Sequence, residues 1–272
     1  MERKYLGYGL SLLVLVLSLG TTACRFGVDD ASPAATPVGG TPPTPQLDIN
    51  GFHYAFDGDT NNPSIITDSL LANDAPYNGD PVLIEINPSG KVGKSAFFAA
   101  GSAIQLTPVV GAFPFENGLT FRAWVYLDHQ VTSRQQIIGG TADGIGGTIV
   151  DNIGVSLDPN AIVIDLPVSG GIGTMTVAYS PSVNTWFHLA VTYFNNSVAV
   201  YINGVWQQTD TINVNFTNSF NNRIGNNLRI DNGLPVIENQ FYGQLDEIYL
   251  ENYIMRSAYI SDYYRQTCDC IN

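Results

Sequence analysis

The chain has 272 residues and a formal net charge of −13, with 11 basic residues against 24 acidic ones. This acidity argues against nucleic acid and anionic lipid headgroups as partners, because a negatively charged surface repels both. Between about residues 47 and 266 no low-complexity segment interrupts the sequence, and that length suits a single all-β domain. Short runs rich in Val, Ile, Tyr and Phe are separated by Gly, Asn, Asp and Pro, which is typical of strands and turns.

The N-terminus has the features of an export signal. Charged residues precede an apolar run at residues 5–19, which is too short for a membrane span. Two processing routes remain open. Small residues at Thr21 and Ala23 suit ordinary signal peptidase, whereas Cys24 directly after a small residue is similar to the lipobox of bacterial lipoproteins. We favour a lipid on Cys24, which would anchor an exported protein at the bacterial cell envelope or surface as its only membrane contact, with secretion as the alternative.

The sequence predicts four parts. Residues 1–23 are the signal peptide, and residues 24–47 form a Pro- and Thr-rich tether with too few apolar side chains to bury a core, so that we expect it to be disordered. Residues 48–266 form the folded domain. Residues 267–272 are a C-terminal tail.

Apolar and alternating runs predict short strands throughout the domain, in the chain order 51–57, 82–86, 95–99, 102–106, 119–127, 136–138, 153–157, 161–166, 174–178, 186–193, 197–202, a strand that begins at residue 205, 222–224 and 244–250. Asn203 and Gly204 between two of these runs predict a type I′ hairpin turn. Residues 225–233 are interpreted as a loop. One helix is predicted, at residues 257–266, with Ser257 as its N-cap.

Five phrases in this order resemble the laminin G-like members of the concanavalin A-like lectin and glucanase superfamily. They are FDG at 56–58, LTFRAWVYL at 119–127, WFHLAVTY at 186–193, VYINGV at 200–205 and YGQLDEIYLENYIMRSAYI at 242–260. The likeness extends over about residues 52–264. It implies an all-β fold, a two-sheet antiparallel jelly-roll sandwich, which here ends in a short C-terminal helix.

Alternation assigns the side chains of these strands to two faces. The inward set is Phe121, Ala123, Val125, Leu127, Phe187, Leu189, Val191, Tyr193, Val198, Val200, Ile202, Ile248 and Leu250. The opposite face gathers aromatic and polar groups, and a glycan platform needs both, because sugar C–H groups stack on rings and hydroxyls pair with polar side chains. The ligand-binding candidates are Arg122, Trp124, Tyr126, His188, Tyr201 and Tyr249, whereas Trp186 at the start of its strand is expected to contribute least. The open alternative is that loops cover these strands, so that the aromatic residues form a second layer of core.

The resemblance also implies a site for one structural calcium ion. Superfamily members often bind calcium through a carboxylate on the final strand and oxygens near the first. The matching positions are Asp246, with Asp57 and Asp59 as additional ligands. Alternation predicts that Asp246 faces inward, where its carboxylate needs a partner, and either a calcium ion or a set of backbone amides would satisfy it.

Glu247 and Glu251 are the candidates for a hydrolase mechanism. Glucanases of the superfamily use two glutamates around an aspartate, and here Tyr249 takes the aspartate's position. Four extended residues separate the two glutamates by about 13 Å unless a bulge intervenes. The two catalytic carboxyl groups of a retaining glycosidase lie about 5–5.5 Å apart. We therefore expect no catalytic residue and no enzymatic activity.

Cys268 and Cys270 leave three states open: a small strained disulfide, a bridge to another chain, or two reduced thiols.

The sequence therefore predicts a surface-exposed, non-catalytic module that binds a glycan or a glycosylated surface. The alternative is a structural or adhesion protein that binds other proteins or itself, and a glycoside hydrolase is the less favoured third hypothesis.

Overall fold

A computed structural model of the chain describes residues 51–59, 79–82, 84–106, 118–142, 153–216, 222–231 and 234–268. All of them belong to the second of two compact units, Thr44–Asn272. The predicted signal peptide and tether, Cys24 and Cys270 lie outside the described residues. In these ranges no helix is both long enough and apolar enough to cross a membrane.

The described part of the chain is built from strands and a single helix at its end. In chain order these are β1 Gly51–Tyr54, β2 Gly79–Val82, β3 Glu85–Asn87, β4 Ser95–Phe98, β5 Ala103–Leu106, β6 Leu119–Leu127, β7 Gln135–Ala142, β8 Gly154–Asp158, β9 Ala161–Val168, β10 Gly171–Ala178, β11 Trp186–Phe194, β12 Ser197–Ile202, β13 Val205–Thr211, β14 Asn222–Ile224, β15 Asn227–Asp231, β16 Leu234–Glu238, β17 Gly243–Glu251 and α1 Ser257–Thr267. The predicted all-β class with a short C-terminal helix is confirmed.

The strands form two sheets consistent with a jelly-roll sandwich. The first sheet has the spatial order β13-β12-β11-β6-β17-β4-β3, with β1 beside β17. The second has the order β10-β9-β8-β7-β14-β5-β2, with the β15–β16 hairpin attached at β7. The pairing of β15 with β7 is parallel, and the other described pairings between strands are antiparallel.

One hydrophobic core lies between the sheets and confirms the predicted faces. All thirteen side chains that alternation places inward belong to it, together with second-sheet residues such as Ile138, Val155 and Ile164. Several, among them Phe121 and Leu189, are completely buried. Alternation alone therefore identifies which side of β6, β11 and β12 faces the core.

A β-bulge in β17 overturns the predicted orientation of Asp246. The pairing of β17 with β6 shifts its register between Asp246 and Tyr249, and Glu247 adopts a φ of 48°. Leu245 and Ile248 both face the core although they are three residues apart. An extra residue in a strand breaks the alternation, so that the side chains on its two sides no longer follow one odd-even pattern. Asp246 is therefore directly opposite Trp124 and lies on the side of the sheet away from the core.

Two other predictions about the elements are wrong. The single strand predicted at residues 82–86 is the end of β2 and the start of β3, which belong to different sheets. The loop predicted at residues 225–233 contains β15, which pairs with β16 as a hairpin. Asn232 and Gly233 between them repeat the dipeptide that predicts the turn at Asn203 and Gly204.

The helix α1 packs on the first sheet, on the side away from the core. Its buried residue Ile260 forms a small apolar cluster with Ala190, Ala199 and Tyr201 of β11 and β12. The predicted N-cap is wrong by one residue, because Arg256 occupies that position without a side-chain capping bond and Ser257 is the first helical residue.

The predicted type I′ turn joins β12 to β13 and touches α1. Asn203 and Gly204 have φ values of 52° and 74°, both positive as this turn requires. A Cβ atom on Gly204 would lie 3.0 Å from Cβ of Tyr264 and 3.1 Å from Cα of Ser261. The turn therefore needs glycine for its conformation and for its contact with the helix.

Replacing Gly204 by alanine should destabilise the fold more than the same change at Gly170. Gly170 has a φ of 85° and open space around its missing Cβ, so Gly170→Ala carries only the left-handed backbone cost of about 1–2 kcal/mol. Gly204→Ala adds overpacking against α1, worth about 1–3 kcal/mol more. Urea unfolding of both variants measures the difference, and equal losses would show that the turn does not press on the helix.

Candidate functional site

The candidate site is the outer face of the first sheet, meaning the side directed away from the core. It carries the predicted ligand-binding side chains. The structure divides this face into a covered part beneath α1 and an open part beyond the C-terminal end of the helix.

Arg122 lies at the centre of the covered part. Its guanidinium carbon is 3.3 Å from the ring centroid of Tyr249 and 4.2 Å from that of Tyr263, and its Nε is 3.6 Å from Oε2 of Glu251. Burial lowers the pKa of Arg122, but Glu251 and the two tyrosines outweigh that effect and raise it overall. The side chain is thus a buried cation held between two aromatic faces.

Glu247 accepts hydrogen bonds from three directions. The hydroxyls of Tyr249 and Tyr263 donate to its Oε2 at 3.0 and 3.1 Å, and Nε2 of His53 lies 3.0 Å from the same atom. Burial raises the pKa of Glu247, yet these partners outweigh burial and lower it overall. Because Tyr263 belongs to α1, the carboxylate attaches the helix to the sheet.

Trp124 and His188 are fully enclosed beside this cluster. The exposed fraction is 1% for Trp124 and 0% for His188. The indole Nε1 of Trp124 donates to Oγ1 of Thr267 at 3.2 Å, and its ring lies 5.6 Å from that of Tyr264. The imidazole of His188 lies 5.3 Å from the rings of both Trp124 and Tyr263.

The imidazole of His188 makes no hydrogen bond with any described residue through either nitrogen. Burial, and next the nearby charge of Arg122, lower the pKa of His188 to about 3. The ring is therefore held neutral at physiological pH.

These contacts favour the packed alternative for five of the six ligand-binding candidates. Arg122, Trp124 and His188 are covered, Tyr201 belongs to the apolar cluster under Ile260, and Tyr249 is half-buried against Arg122. Most of the cover is α1, and Lys91 of the loop between β3 and β4 adds to it, because its ammonium lies 5.2 Å from the ring centroid of Trp124. A sugar cannot stack on a ring whose faces already contact protein.

Tyr126 is the candidate that stays accessible, in the open part of the face. It is directly opposite Trp186 in the pairing of β6 with β11, both are partly exposed, and their ring centroids are 5.3 Å apart. The Tyr126 hydroxyl donates to Oδ1 of Asn184 at 3.3 Å. Trp186, expected to contribute least, is thus better placed for a ligand than Trp124.

The predicted calcium ligands lie around one loop, between β3 and β4. Asp246 accepts from the backbone N–H groups of Lys91 and Val92 at 2.8 Å and of Glu247 at 2.7 Å. Burial raises the pKa of Asp246 to about 8, although the three amides oppose that rise because they favour the charged carboxylate. The three backbone amides thus provide the hydrogen-bond partners that the buried carboxylate of Asp246 needs.

Asp57 and Asp59 are engaged by Lys94 at the end of the same loop. Oδ1 of Asp57 accepts from the backbone N–H of Lys94 at 2.8 Å, and the Lys94 ammonium donates to the carbonyl oxygen of Asp59 at 2.7 Å. A lysine already provides positive charge there. Among the described residues no group of three or more His, Cys, Asp or Glu side chains could hold a metal ion. Protein groups thus already engage these oxygens among the described residues, and a calcium ion at this place stays a prediction.

Glu247 and Glu251 lie in the covered part, where Tyr253 also donates to Oε1 of Glu251 at 3.1 Å. Both carboxylates are therefore occupied by protein groups. Cys268 directly follows α1 and is partly exposed. Its pairing with Cys270 stays a prediction.

Sequence analysis did not identify Trp206 and Phe97 among the exposed or partly exposed aromatic side chains of the outer face. Trp206 is 56% exposed on β13, with its Nε1 donating to Oγ1 of Thr209 at 2.9 Å. Phe97 is partly exposed on β4, directly opposite Gln244. The signal for Phe97 was its position in SAFF, where it alternates with the buried Ala96 and Phe98.

The fold and this geometry agree with a known family. A family model described as the concanavalin A-like lectin/glucanases superfamily, of the laminin G-like type, matches residues 98–261. The chain belongs to this superfamily. No curated protein has a matching sequence.

Solved structures of similar fold come from bacterial enzymes and toxins. Domain 4 of AbnA, an extracellular arabinanase from Geobacillus stearothermophilus, is 22% identical with a TM-score of 0.55, over 79% of this chain and 97% of that one. The binding domain of Paraclostridial Mosquitocidal Protein 1 is 15% identical with a TM-score of 0.58, over 80% of this chain and 52% of that one. The binding domain of Botulinum neurotoxin DC is 12% identical with a TM-score of 0.52, over 79% of this chain and 51% of that one. The chain thus spans about half the length of the two toxin domains, and the likeness shows the fold.

His188 should make folding stability depend on pH. Its folded pKa of about 3 lies below the unfolded value, so the folded state binds fewer protons and stability falls as pH drops from about 6.5 towards 3. The variant His188→Phe keeps a ring between Trp124 and Tyr263 but cannot titrate. Relative to this variant, the wild type should lose up to about 1.4 kcal/mol per pH unit in that window.

Urea unfolding at several pH values between 6.5 and 4.5 measures the difference. His129→Gln controls for the loss of a histidine, because His129 is exposed. If the free energy of unfolding changes with pH in parallel for the wild type and His188→Phe, protonation of His188 does not contribute to the pH dependence.

Proposed function

We propose that the protein is a surface-exposed, non-catalytic module that binds carbohydrate. The observation that carries this proposal is the partly exposed Tyr126–Trp186 pair on the outer face, with ring centroids 5.3 Å apart. Aromatic rings that are fixed by packing but open on one side suit the C–H faces of sugars. Asn184 beside the pair adds an exposed amide, which can bond to sugar hydroxyls.

The similar structures add support for binding rather than for a particular ligand. The AbnA domain was solved in complex with arabinotriose. Entry of botulinum neurotoxin type C into cells depends on two ganglioside molecules, and the neurotoxin DC domain was solved with rat synaptotagmin II. Arabinotriose and the head groups of gangliosides are both glycans, so the AbnA domain and neurotoxin type C share this ligand class.

A non-catalytic role is supported by the two candidate glutamates. Oε2 of Glu247 is close to three donor groups and Glu251 lies beside Arg122, both under α1. A general acid or nucleophile must reach its substrate, and these carboxylates do not. Export and a lipid on Cys24 would place such a module at the cell envelope.

Adhesion to another protein is the alternative function. β13 is the last strand of the first sheet, and it exposes Val205 and Trp206. An edge strand with exposed apolar side chains is a common site of protein association. Absence of any glycan ligand together with retained protein binding would favour this alternative.

Truncating Trp186 should abolish or strongly weaken glycan binding while the fold is kept. A glycan array identifies the bound sugars, and calorimetry then compares the wild type with Trp186→Ala and Tyr126→Phe. The tryptophan variant should lose at least about tenfold in affinity, equivalent to about 1.4 kcal/mol. Tyr126→Phe should lose less, since only the hydroxyl bonded to Asn184 disappears.

Trp206→Ala is the matched control, because it removes an exposed tryptophan from the same sheet and face, two strands away from Trp186 and outside the Tyr126–Trp186 pair. It should bind as the wild type does. Equal losses for the two tryptophan variants would contradict a site at Trp186, and an array without hits would contradict the proposed function.

Calcium should be dispensable for this module. Backbone amides satisfy Asp246 and the Lys94 ammonium contacts the carbonyl of Asp59, so we expect the same thermal midpoint in calcium and in EDTA. Asp246→Ala should destabilise the protein by about 1–3 kcal/mol in both conditions, because Lys91 and Val92 lose their acceptor. A midpoint several degrees higher in calcium, abolished by Asp246→Ala, would instead support the calcium site implied by the resemblance.

A further inference from the structure

The Tyr126–Trp186 pair is the start of a continuous row across five strands. In the pairing registers Trp186 is opposite Tyr126, Tyr126 is opposite Gln244, Gln244 is opposite Phe97, and Phe97 is opposite Glu85. Directly opposed residues in a sheet point to the same face. The first four side chains are partly exposed and Glu85 is exposed, so the row is accessible along its whole length.

The row combines aromatic rings with polar groups. Neighbouring strands are about 4.8 Å apart, so the five positions extend over about 19 Å. Two rings stand at one end, an amide follows, and a third ring precedes a carboxylate. A row of this length and composition matches a chain of sugars better than one sugar, because each unit offers both a C–H face and hydroxyls.

Gln244 in the middle of the row is held ready to donate. Its Oε1 accepts from Nδ2 of Asn87 at 2.9 Å and from the hydroxyl of Ser95 at 2.8 Å. Asn87 is itself oriented, because its Oδ1 accepts the backbone N–H of Ser89 at 2.9 Å. The Nε2 of Gln244 forms no bond with a described residue. Two neighbours thus fix an amide whose amino group has no partner among the described residues, and such preorganisation lowers the entropic cost of binding.

The helix restricts the direction of a ligand. One step further along β6, two residues from Tyr126, Trp124 is covered by α1 and its indole is bonded to Thr267. A ligand therefore cannot continue along the strands on that side. It can extend across the strands, which is the direction of the row.

Charge disfavours acidic glycans at this row. The row ends at the exposed carboxylate of Glu85, and the chain carries a net charge of −13. A sialylated or uronic acid chain would meet repulsion both at the row and from the protein as a whole.

We propose that the row Trp186–Tyr126–Gln244–Phe97–Glu85 is an extended subsite for an uncharged oligosaccharide of about four units, which lies across the strands of the first sheet. The inference rests on the proposed function and adds the length, the direction and the charge of the ligand. It predicts recognition of internal chain segments rather than of a single terminal sugar.

Uncharged arabino-, xylo- and cello-oligosaccharides of two to six units test the length of the site by calorimetry. In the series that binds, affinity should rise at least tenfold from two to four or five units and then level off. Sialylated chains should bind more weakly than uncharged chains of equal length. Constant affinity over the whole series, or tighter binding of sialylated chains, would overturn the extended subsite while leaving carbohydrate binding intact.

The variant Phe97→Ala tests the far end of the row. It should lower the affinity for five units about tenfold and leave the affinity for two units unchanged, which also shows that the variant is folded. Gln244→Glu keeps the acceptor for Asn87 and Ser95 but removes the amino group. It should lower the affinity for the longer oligosaccharides in the same way. Phe194→Ala is the matched control, since Phe194 is 45% exposed at the other end of β11.

If Phe97→Ala binds oligosaccharides of every length with wild-type affinity, the proposal that the row is an extended subsite is wrong. If no oligosaccharide of any length binds the wild-type protein, the proposed carbohydrate function itself fails. The two failures are therefore distinguishable.

Discussion

The contact between α1 and the outer face of the first sheet is the constraint on which the remaining structure depends. A two-layer sandwich buries only one face of each sheet, and the opposite face of β6 and β11 carries Trp124 and His188, which are too large or too costly to leave without packing partners. The helix covers both, and loss of a buried tryptophan costs about 3–5 kcal/mol in typical cores. The charge of Arg122 is retained under the same cover because two tyrosine rings and Glu251 compensate it.

The bulge in β17 makes this cover possible. It places Asp246 and Glu247, which are consecutive, on the outer side, where normal alternation would allow only one of them. Asp246 holds the loop after β3 through backbone amides, and Glu247 holds α1 through the hydroxyl of Tyr263. A non-glycine residue at positive φ costs on the order of 1–3 kcal/mol, which these hydrogen bonds offset. One irregular residue thus couples a loop to the helix.

The sequence predicts the local features well and the long-range ones poorly. Alternation identifies the core side of β6, and the Asn203-Gly204 dipeptide predicts a turn that the structure contains. Neither signal shows that α1 lies over Trp124 but not over Tyr126, two residues away on the same face. The bulge at Glu247 is equally invisible, because it depends on the pairing with β6 and not on a residue type. Alternation therefore predicts the wrong orientation for Asp246, because the sequence does not reveal the bulge.

A binding site needs side chains that are oriented by the protein and yet keep unused contacts. Arg122 and His188 satisfy the first condition only, since the helix occupies their surroundings. Gln244 satisfies both: its oxygen is fixed by two donors, while its amino group forms no bond within the described part of the chain. The outer face thus changes its role at the end of α1. Beneath the helix the polar and aromatic groups stabilise the fold, whereas one row further along the strands similar groups stay partly exposed, and there we propose the ligand site. The position of α1 therefore sets the width of the proposed glycan site and, with it, the direction in which a bound chain can lie.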